Sequence, residues 1–270
     1  MGSAYGAFVT TGSSADYIGI DFGTTNSALA RVRPGLPTEL VSYERRGARS
    51  QTGRSILFFD PERRDDQMAL MPWAGPPAID AYIAAADDGH TGRLMQSLKS
   101  HLASRSFTKT SVFGTSYDLS DLVRFIVAGL ASEGERQLGV RPRRAVVGRP
   151  VRFAAANTEA DDAFATDRLR VAFARAGFER IEFELEPVAA AHYYDSQLDH
   201  DELVLIADFG GGTSDFSLMQ VGPTARRRPS QSRILGNSGV ALAGDSFDRR
   251  IIEQVVAPRL GQGSHYRAQM

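Results

Sequence analysis

Two short stretches of this chain decide its fold, and they resemble each other. Residues 18–27 read IGIDFGTTNS, and residues 205–217 read LIADFGGGTSDFS. In each, a run of strand-forming residues ends at an aspartate, followed by Phe-Gly, a glycine- and threonine-rich turn and a second strand. A single Gly/Thr hairpin is ordinary turn chemistry. Two copies with Asp21 and Asp208 at the same place predict two related lobes that face one ligand.

The residue types in the two turns predict a phosphate-binding site. Glycine lets the backbone approach an anion closely and direct its N–H groups towards it, and threonine adds hydroxyl donors. Asp21 and Asp208 cannot contact phosphate without repulsion, so they indicate a hard divalent cation, Mg²⁺, between them and a nucleotide. We expect the phosphates to lie against Gly23, Thr24, Thr25, Gly210, Gly211, Gly212 and Thr213.

The composition of the chain and the motifs that it lacks exclude several partners and several kinds of site. The net charge of −1 over 270 residues gives no electrostatic argument for nucleic acid or an anionic membrane as partner. The chain has no cysteine, which excludes disulfides, thiolate catalysis and zinc–thiolate sites and makes the cytoplasm the default location. No Walker A loop, G-x-G-x-x-G, G-x-S-x-G or paired-histidine motif occurs, so phosphate binding must use the hairpins.

Hydrophobic patterning predicts a β-α-β order around the hairpins. Asp118 or Ser120 is the expected cap of a helix that Gly139 closes. In the first half, the predicted features are a leader at 1–16, a hairpin at 17–32 after which Pro34-Gly35 breaks the chain, a strand at 55–59, irregular surface at 60–77 and the helix from 119. The second half is predicted to contain a strand at 145–147 followed by a Gly-Arg-Pro turn, a helix ending at Gly177, an alternating strand at 181–185 and a helix from Pro187. The second hairpin and a solvated basic turn at 226–229 follow.

These motifs together resemble the Hsp70 family, within the actin, Hsp70 and sugar-kinase ATPase superfamily. IGIDFGTTNS is similar to its first phosphate motif, LIADFGGGTSDFSL to its second, and FELEPVAAAHYY to its connecting motif. VVGRPVRF, GDSFDRR and VVAPRLGQGS resemble the YegD-type branch of Hsp70-like proteins more than housekeeping Hsp70.

The resemblance implies an α/β, actin-like (ribonuclease H-like) ATPase fold, with two lobes whose duplicated mixed β-sheets are flanked by helices. We expect a flexible leader at 1–16, a first lobe at 17–199 with an insertion around 54–118, and the start of a second lobe at 200–270. The adenosine-clamping motif has no counterpart, so the second lobe is expected to be incomplete and the chain truncated or a fragment.

The resemblance also implies chemistry and partners. It predicts a cytoplasmic chaperone-type protein that binds ATP or ADP with Mg²⁺, hydrolyses ATP to drive a conformational change and works with protein clients or co-chaperones. Asp21 and Asp208 would position Mg²⁺ and its waters. The two turns, with Asn26, would hold the phosphates, and Thr213 and Asp208 would also take part in hydrolysis. Asp215 would support the second hairpin and belong to the nucleotide-binding residues.

Four further residues receive roles from the same motifs. Glu186 would sense the nucleotide or orient the attacking water, although an exposed strand glutamate is the plain alternative. Lys99, in GRLMQSLKSHL, matches loosely the catalytic lysine near the γ-phosphate, and a surface helix lysine is an equal alternative. Pro150 resembles the proline of the interlobe switch. Gly244 would help to bind the nucleotide, although its motif, AGDSFD, departs from the family's paired glycines.

Other functions stay open at this point. The chain could be an interaction or regulatory remnant that binds nucleotide weakly or not at all, since adenine contacts are missing. A small-molecule kinase on the same scaffold is disfavoured by the EPVAAA and DFGGGTSDFS motifs. Filament formation of the actin kind ranks lower still.

Overall fold

The computed structural model describes residues 17–33, 35–227 and 234–265. The leader expected at 1–16, Pro34 of the predicted break and the Arg228-Pro229 part of the basic turn lie outside the described residues.

The strands of the described chain form five separate sheets, and two of these sheets contain the glycine-rich hairpins. The strands are β1 (Tyr17–Phe22), β2 (Asn26–Val32), β3 (Glu39–Leu40), β4 (Tyr43–Arg45), β5 (Ala48–Ser50), β6 (Gly53–Arg54), β7 (Ile56–Phe59), β8 (Trp73–Ala74), β9 (Arg93–Gln96), β10 (Thr110–Val112), β11 (Thr115–Tyr117), β12 (Arg144–Arg149), β13 (Arg180–Leu185), β14 (Glu202–Phe209), β15 (Ser214–Val221) and β16 (Ile234–Val240). The helices are α1 (Pro76–Asp87), α2 (Leu119–Leu138), α3 (Glu159–Arg175), α4 (Glu186–Asp195), α5 (Pro223–Arg227), α6 (Gly244–Ile251) and α7 (Ala257–Arg259), with a 3-10 helix at Leu98–His101 and a π-helical segment at Ile252–Val256.

The first sheet has six strands and holds the first hairpin at its centre. Its order is β13-β12-β1-β2-β3, with β6 also paired to β2; β1 runs antiparallel to β2 and parallel to β12. Helices α2 and α3 pack together beside it and share its core, in which Phe22 meets Phe173 edge-on with ring centroids 6.3 Å apart. The core therefore fixes β1 directly before the first glycine-rich turn.

Helix α2 confirms the caps that the sequence predicts. The Asp118 carboxylate accepts the N–H of Asp121, and the Asp121 carboxylate accepts the N–H of Asp118, which forms a capping box. Gly139 ends the helix at φ 70°, a left-handed conformation that favours glycine. Buried Leu122, Ile126 and Leu130 recur at helical spacing and face the core.

The second sheet has three antiparallel strands in the order β14-β15-β16, and among the described residues only one of its faces is packed. Val188 and Ala191 of α4 form a small core with Met219 and Val221 of β15. On the opposite face of β14, the alternate residues Leu203, Leu205 and Phe209 are exposed among the described residues. Helix α4 also contacts β12 and β13, so it joins the two sheets.

Three local predictions are wrong. The stretch at 60–77, predicted to be irregular, contains β8 and the start of α1, because Pro76 and Pro77 occupy helix positions whose N–H groups need no partner. Gly148 and Arg149, predicted to form a turn, continue strand β12. Arg226, predicted to lie in a solvated turn, belongs to α5, and its guanidinium donates to the carbonyl oxygens of Asp195 and Leu198.

Membrane insertion through a helix finds no support in the described chain. Across 17–33, 35–227 and 234–265, none of the helices combines the length and the apolar character that crossing a bilayer requires.

Candidate functional site

The two glycine-rich turns meet across one cleft. The first turn, at 23–25, joins β1 to β2, and the second, at 210–213, joins β14 to β15. A Cβ placed on Gly211 would overlap Thr25 Oγ1, and one on Gly212 would lie 2.9 Å from Thr24 Oγ1. Only glycine permits so close an approach. The turns thus converge in space, as the repeated motif predicts.

The cleft between the turns has a volume of about 560 Å³. Most residues that the sequence assigns to the site lie on its wall: Asp21, Gly23, Thr24, Thr25, Asn26, Lys99, Glu186, Asp208, Gly210, Gly211, Gly212, Thr213 and Gly244. Among the predicted site residues, Asp215 does not line it.

Asp21 and Asp208 concentrate negative charge on the floor of the cleft. Burial raises the pKa of Asp21; Lys99 lowers it, whereas Glu186 and Asp208 raise it further. Burial likewise raises the pKa of Asp208, with Glu186 acting in the same direction and Lys99 against it. The single ammonium does not offset the carboxylates, so a bound cation would relieve their repulsion.

The donor set fits Mg²⁺ bound together with phosphates. Within the described segments no cluster of three or more His, Asp or Glu side chains is arranged to hold a metal ion. Mg²⁺ commonly uses one or two carboxylates and completes its octahedron with water and substrate phosphates. Asp21 and Asp208 could supply those carboxylates, and the glycines and threonines of both turns line the same cleft, where they could donate hydrogen bonds to phosphate oxygens.

Lys99 and Glu186 form a buried ion pair in the wall of the cleft. Lys99 Nζ donates to Glu186 Oε1 at 2.5 Å, with side chains 8% and 15% exposed. Lys99 lies in the 3-10 helix after β9, and Glu186 is the first residue of α4. A Cβ on Gly148 would come within 3.1 Å of Glu186 Cγ, so that glycine makes room for the carboxylate. The alternatives of a surface lysine and an exposed strand glutamate are both wrong.

We expect Lys99→Met to lower the free energy of unfolding by about 1–2 kcal/mol, because it leaves the largely buried Glu186 carboxylate without its partner. Urea unfolding measures this. The matched control is Lys109→Met, which changes the exposed lysine that is the only other one in the chain. Adding Glu186→Gln to Lys99→Met should restore part of the loss. Equal effects at both lysines would show that the pair adds nothing.

Asp215 lies behind the second turn instead of in the cleft. It is 1% exposed, and its Oδ2 accepts the Thr213 hydroxyl at 2.8 Å. Asp208 and Asp215 are direct cross-strand partners of β14 and β15. This position matches the expected support of the hairpin and gives Asp215 no direct contact with a ligand in the cleft.

The segment around Gly244 closes the cleft from the side of α6. The Gly244 N–H donates to the Gly210 carbonyl oxygen at 3.2 Å, and the Asp245 N–H donates to that of Gly211 at 2.8 Å. Ala243, which replaces a glycine of the family motif, is buried. The departure from the paired-glycine pattern therefore leaves this loop docked on the second turn.

Sequence reasoning missed two serines near the site. Ser100 follows Lys99, and its buried hydroxyl has no hydrogen-bond partner among the described residues. Its oxygen lies 2.7 Å from a Cβ placed on Gly212, so it packs against the second turn without lining the cleft. Ser55 does line the cleft, and its N–H donates to the Thr25 carbonyl oxygen at 2.9 Å. No motif marks either serine, although the neighbouring lysine could have drawn attention to Ser100.

Two helix-flanked sheets whose glycine-rich turns converge on one cleft define the class of protein as an actin-like α/β fold. The sequence model of the family described as Hsp70 protein matches residues 88–260. The chain is 31% identical over 243 residues to the chaperone protein DnaK of Thermosipho melanesiensis and 30% identical over 237 residues to that of Thermosipho africanus. This chain belongs to the Hsp70 family.

The alignments cover most of this chain and a minor part of its relatives. They span 89% and 87% of this chain but 36% and 35% of the two chaperones. The chain thus spans about a third of the length of the curated relatives that it matches.

Proposed function

We propose that the cleft binds ATP with Mg²⁺ through the phosphates and that hydrolysis there drives a chaperone-type conformational change. One observation carries this proposal: Gly211 and Gly212 approach Thr25 and Thr24 so closely that two donor-rich turns enclose a single space. The chaperone names of the DnaK relatives support the second half of it.

Each wall residue has a task that its chemistry suits. Backbone N–H groups of the two turns and the hydroxyls of Thr24 and Thr25 bind phosphate oxygens, and hydrogen bonds to charged groups are worth about 1.5–3 kcal/mol each. Asp21 and Asp208 would hold Mg²⁺, which would neutralise negative charge on the phosphates. Thr213 is kept in place by Asp215, since its hydroxyl donates to that carboxylate.

Lys99 and Glu186 act as a pair. Lys99 supplies a positive charge beside the space for the γ-phosphate, and Glu186 Oε1 holds its ammonium. The second carboxylate oxygen of Glu186 remains to orient a water molecule for attack. Such positioning, together with electrostatics, accounts for most of the catalysis in phosphoryl transfer.

Several finer expectations remain predictions. These are the lobe boundary at 199–200 and the insertion around 54–118, the likeness to YegD-type proteins, the switch role of Pro150, the clients or co-chaperones and the cytoplasmic location. The lobe boundary is the most open of them, since α4 contacts strands of both sheets.

The test is calorimetric titration of the 270-residue chain with ATP, with and without Mg²⁺. We expect saturable binding of one ATP that requires Mg²⁺, and competition by inorganic tripolyphosphate, because the proposed contacts are to phosphates. Binding that is unchanged when EDTA removes the metal would contradict the proposal. Release of phosphate in a single-turnover experiment tests hydrolysis, and a phosphorylated sugar formed from ATP and hexose would favour the kinase alternative.

A second candidate is an interaction module without turnover. The observation in its favour is the exposed row Leu203, Leu205 and Phe209 on β14, which in the described chain no element covers. Submicromolar affinity for Mg·ATP would exclude a remnant that has lost nucleotide binding. Absence of saturable binding in the same titration would favour it.

A further inference from the structure

The side chain of Arg168, in α3, binds the loop that follows Lys99 and its 3-10 helix. Its guanidinium donates to three backbone carbonyl oxygens of this loop, those of Leu102 at 3.1 Å, Ser104 at 3.0 Å and Phe107 at 2.6 Å. A guanidinium suits this task because it presents five N–H donors in one rigid plane. One side chain therefore ties the loop to α3 at three places.

The three carbonyl oxygens have no other hydrogen-bond partner in the described chain. Residues 102–109, between the 3-10 helix and β10, belong to neither a helix nor a strand. Among the described residues, no backbone N–H donates to the carbonyl oxygen of Leu102, Ser104 or Phe107. Because the loop lacks a regular backbone pattern of its own, its conformation depends on Arg168.

Arg168 is itself fixed by the core of the first sheet. The hydroxyl of Ser120, at the start of α2, donates to the Arg168 carbonyl oxygen at 3.0 Å. Phe164, one turn earlier on α3, lies beside the guanidinium, whose central carbon is 5.0 Å from the ring centroid. The next residue, Leu169, is fully buried in the same core as Phe22, which leads into the first glycine-rich turn. The guanidinium thus has a defined position relative to that turn.

The other end of the 3-10 helix is constrained as well. Ser97, directly before it, has φ 57°, in the left-handed region that residues other than glycine rarely adopt. Such a conformation persists only where the surrounding structure imposes it. Leu98 and Leu102, on either side of Lys99, are buried in the core, and the contacts of Arg168 begin at Leu102. The short helix that carries Lys99 is therefore held at both ends.

The position of this helix determines where the Lys99 ammonium lies. Lys99 Nζ donates to Glu186 Oε1 at 2.5 Å, and the lysine side chain is 8% exposed, so it has little freedom to compensate for a shift of its backbone. A misplacement of about 1 Å in a catalytic group can lower a rate by about 100-fold. Support of the backbone around Lys99 is therefore as important as the lysine itself.

From these contacts we propose that Arg168 is a positioning residue for Lys99. By binding the loop at 102–107 it holds the 3-10 helix where the ammonium reaches both Glu186 and the space for the γ-phosphate. Arg168 does not line the cleft, so it acts only through this loop. The effect on catalysis rests on the proposed ATP hydrolysis, whereas the effect on the ion pair can be measured without nucleotide.

The first test is a double-mutant cycle in urea, without nucleotide. Arg168→Lys keeps the positive charge, but its compact ammonium cannot replace the planar fork that reaches three carbonyl oxygens. Lys99→Met should therefore lower the urea midpoint less than half as much in Arg168→Lys as in the wild-type chain, because the ion pair is already displaced. Strictly additive shifts of the midpoint would overturn the proposal.

Arg170→Lys is the matched control for this cycle. Arg170 lies on the same helix, is exposed and donates to the Ile181 carbonyl oxygen, away from the loop. It should leave the effect of Lys99→Met unchanged. If Arg168→Lys does not fold, Phe164→Leu replaces it, since that variant removes only the ring beside the guanidinium. It should reduce the effect of Lys99→Met in the same direction, and an undiminished effect would overturn the proposal.

The second test follows phosphate release from bound ATP in a single turnover. We expect Arg168→Lys to lower the rate by about 10- to 100-fold and the ATP affinity by less than about threefold, because the residues that bind Mg·ATP are untouched. In the Lys99→Met chain the same substitution should not lower the rate further, since both changes act through one ammonium. Two results would overturn the proposal: an equal rate loss in the Lys99→Met chain, or a smaller amplitude at an unchanged rate. No phosphate release from the wild-type chain would contradict the proposed function, and the urea cycle would still decide the role of Arg168.

Discussion

Asp208→Asn is expected to lower the affinity for Mg·ATP by about 100-fold or more and to remove its dependence on Mg²⁺. The amide keeps the size of the side chain but loses the charge that would hold the cation. Two charge-assisted contacts of about 1.5 kcal/mol each account for a loss of this size. Calorimetric titration with ATP at several Mg²⁺ concentrations measures it.

The same substitution should leave the fold intact and even stabilise it. The pKa of Asp208 lies above the ordinary 3.8 because burial and Glu186 disfavour its ionised form. A carboxyl group whose folded pKa is raised costs stability at neutral pH, where it must ionise. Removing the charge therefore raises the free energy of unfolding while affinity falls. A residue with only a structural role would lower both.

Asp66→Asn is the matched control for Asp208→Asn, since Asp66 is exposed and lies outside the cleft. It should change neither Mg²⁺ dependence nor affinity. Wild-type affinity with full Mg²⁺ dependence in Asp208→Asn would end the assignment of this carboxylate, and with it the cation site. Loss of affinity together with cooperative unfolding at much lower urea would instead identify Asp208 as a structural residue.

The sequence predicts the two hairpins well because their determinants are local. A strand, an aspartate, glycines and a return strand lie within about a dozen residues, so the register that places Asp208 opposite Asp215 follows from the turn. Helix α2 is predictable for the same reason, since Asp118 and Gly139 mark its ends directly. The hairpins and helix α2 can therefore be predicted from interactions between residues that are close in the sequence.

The insertion between the hairpins resists prediction because its elements are short. Strands β4, β6 and β8 have two or three residues each, too few for an alternating pattern. Helix α1 starts with two prolines after Gly75, a sequence that also fits irregular loops. Tertiary contacts hold these elements in place, so their own residues do not predict their secondary structure.

The contacts in the wall of the site could not be predicted from the sequence either. Lys99 and Glu186 are 87 positions apart and meet only because α4 and the 3-10 helix after β9 come together. The sequence around Lys99 does not indicate that its side chain is buried in an ion pair. The same packing brings Ser100 against Gly212 of the second turn. Long-range pairing of this kind leaves no periodic signal in the chain.

The approach of the two turns makes Gly211→Ala the second prediction with a large effect. The added methyl group would overlap Thr25 Oγ1 and come within 3.3 Å of Thr24 Cβ. We expect it to push the turns apart, to cost about 1–3 kcal/mol of stability as overpacking does, and to lower ATP affinity by at least about 100-fold. Urea unfolding and calorimetric titration measure the two effects.

Gly236→Ala is the control, since Gly236 lies in β16 of the same sheet and a Cβ there would meet nothing within 4 Å. A double-mutant cycle of Gly211→Ala with Thr25→Ala then tests whether these two residues are in contact. Removing the Thr25 hydroxyl clears the space for the Gly211→Ala methyl group, so the double variant should be more stable than the sum of the single losses. ATP binding should stay weak, because the hydroxyl that binds phosphate is gone. Strictly additive losses would mean that the two turns do not touch in solution, and a shared phosphate site between them could not then exist.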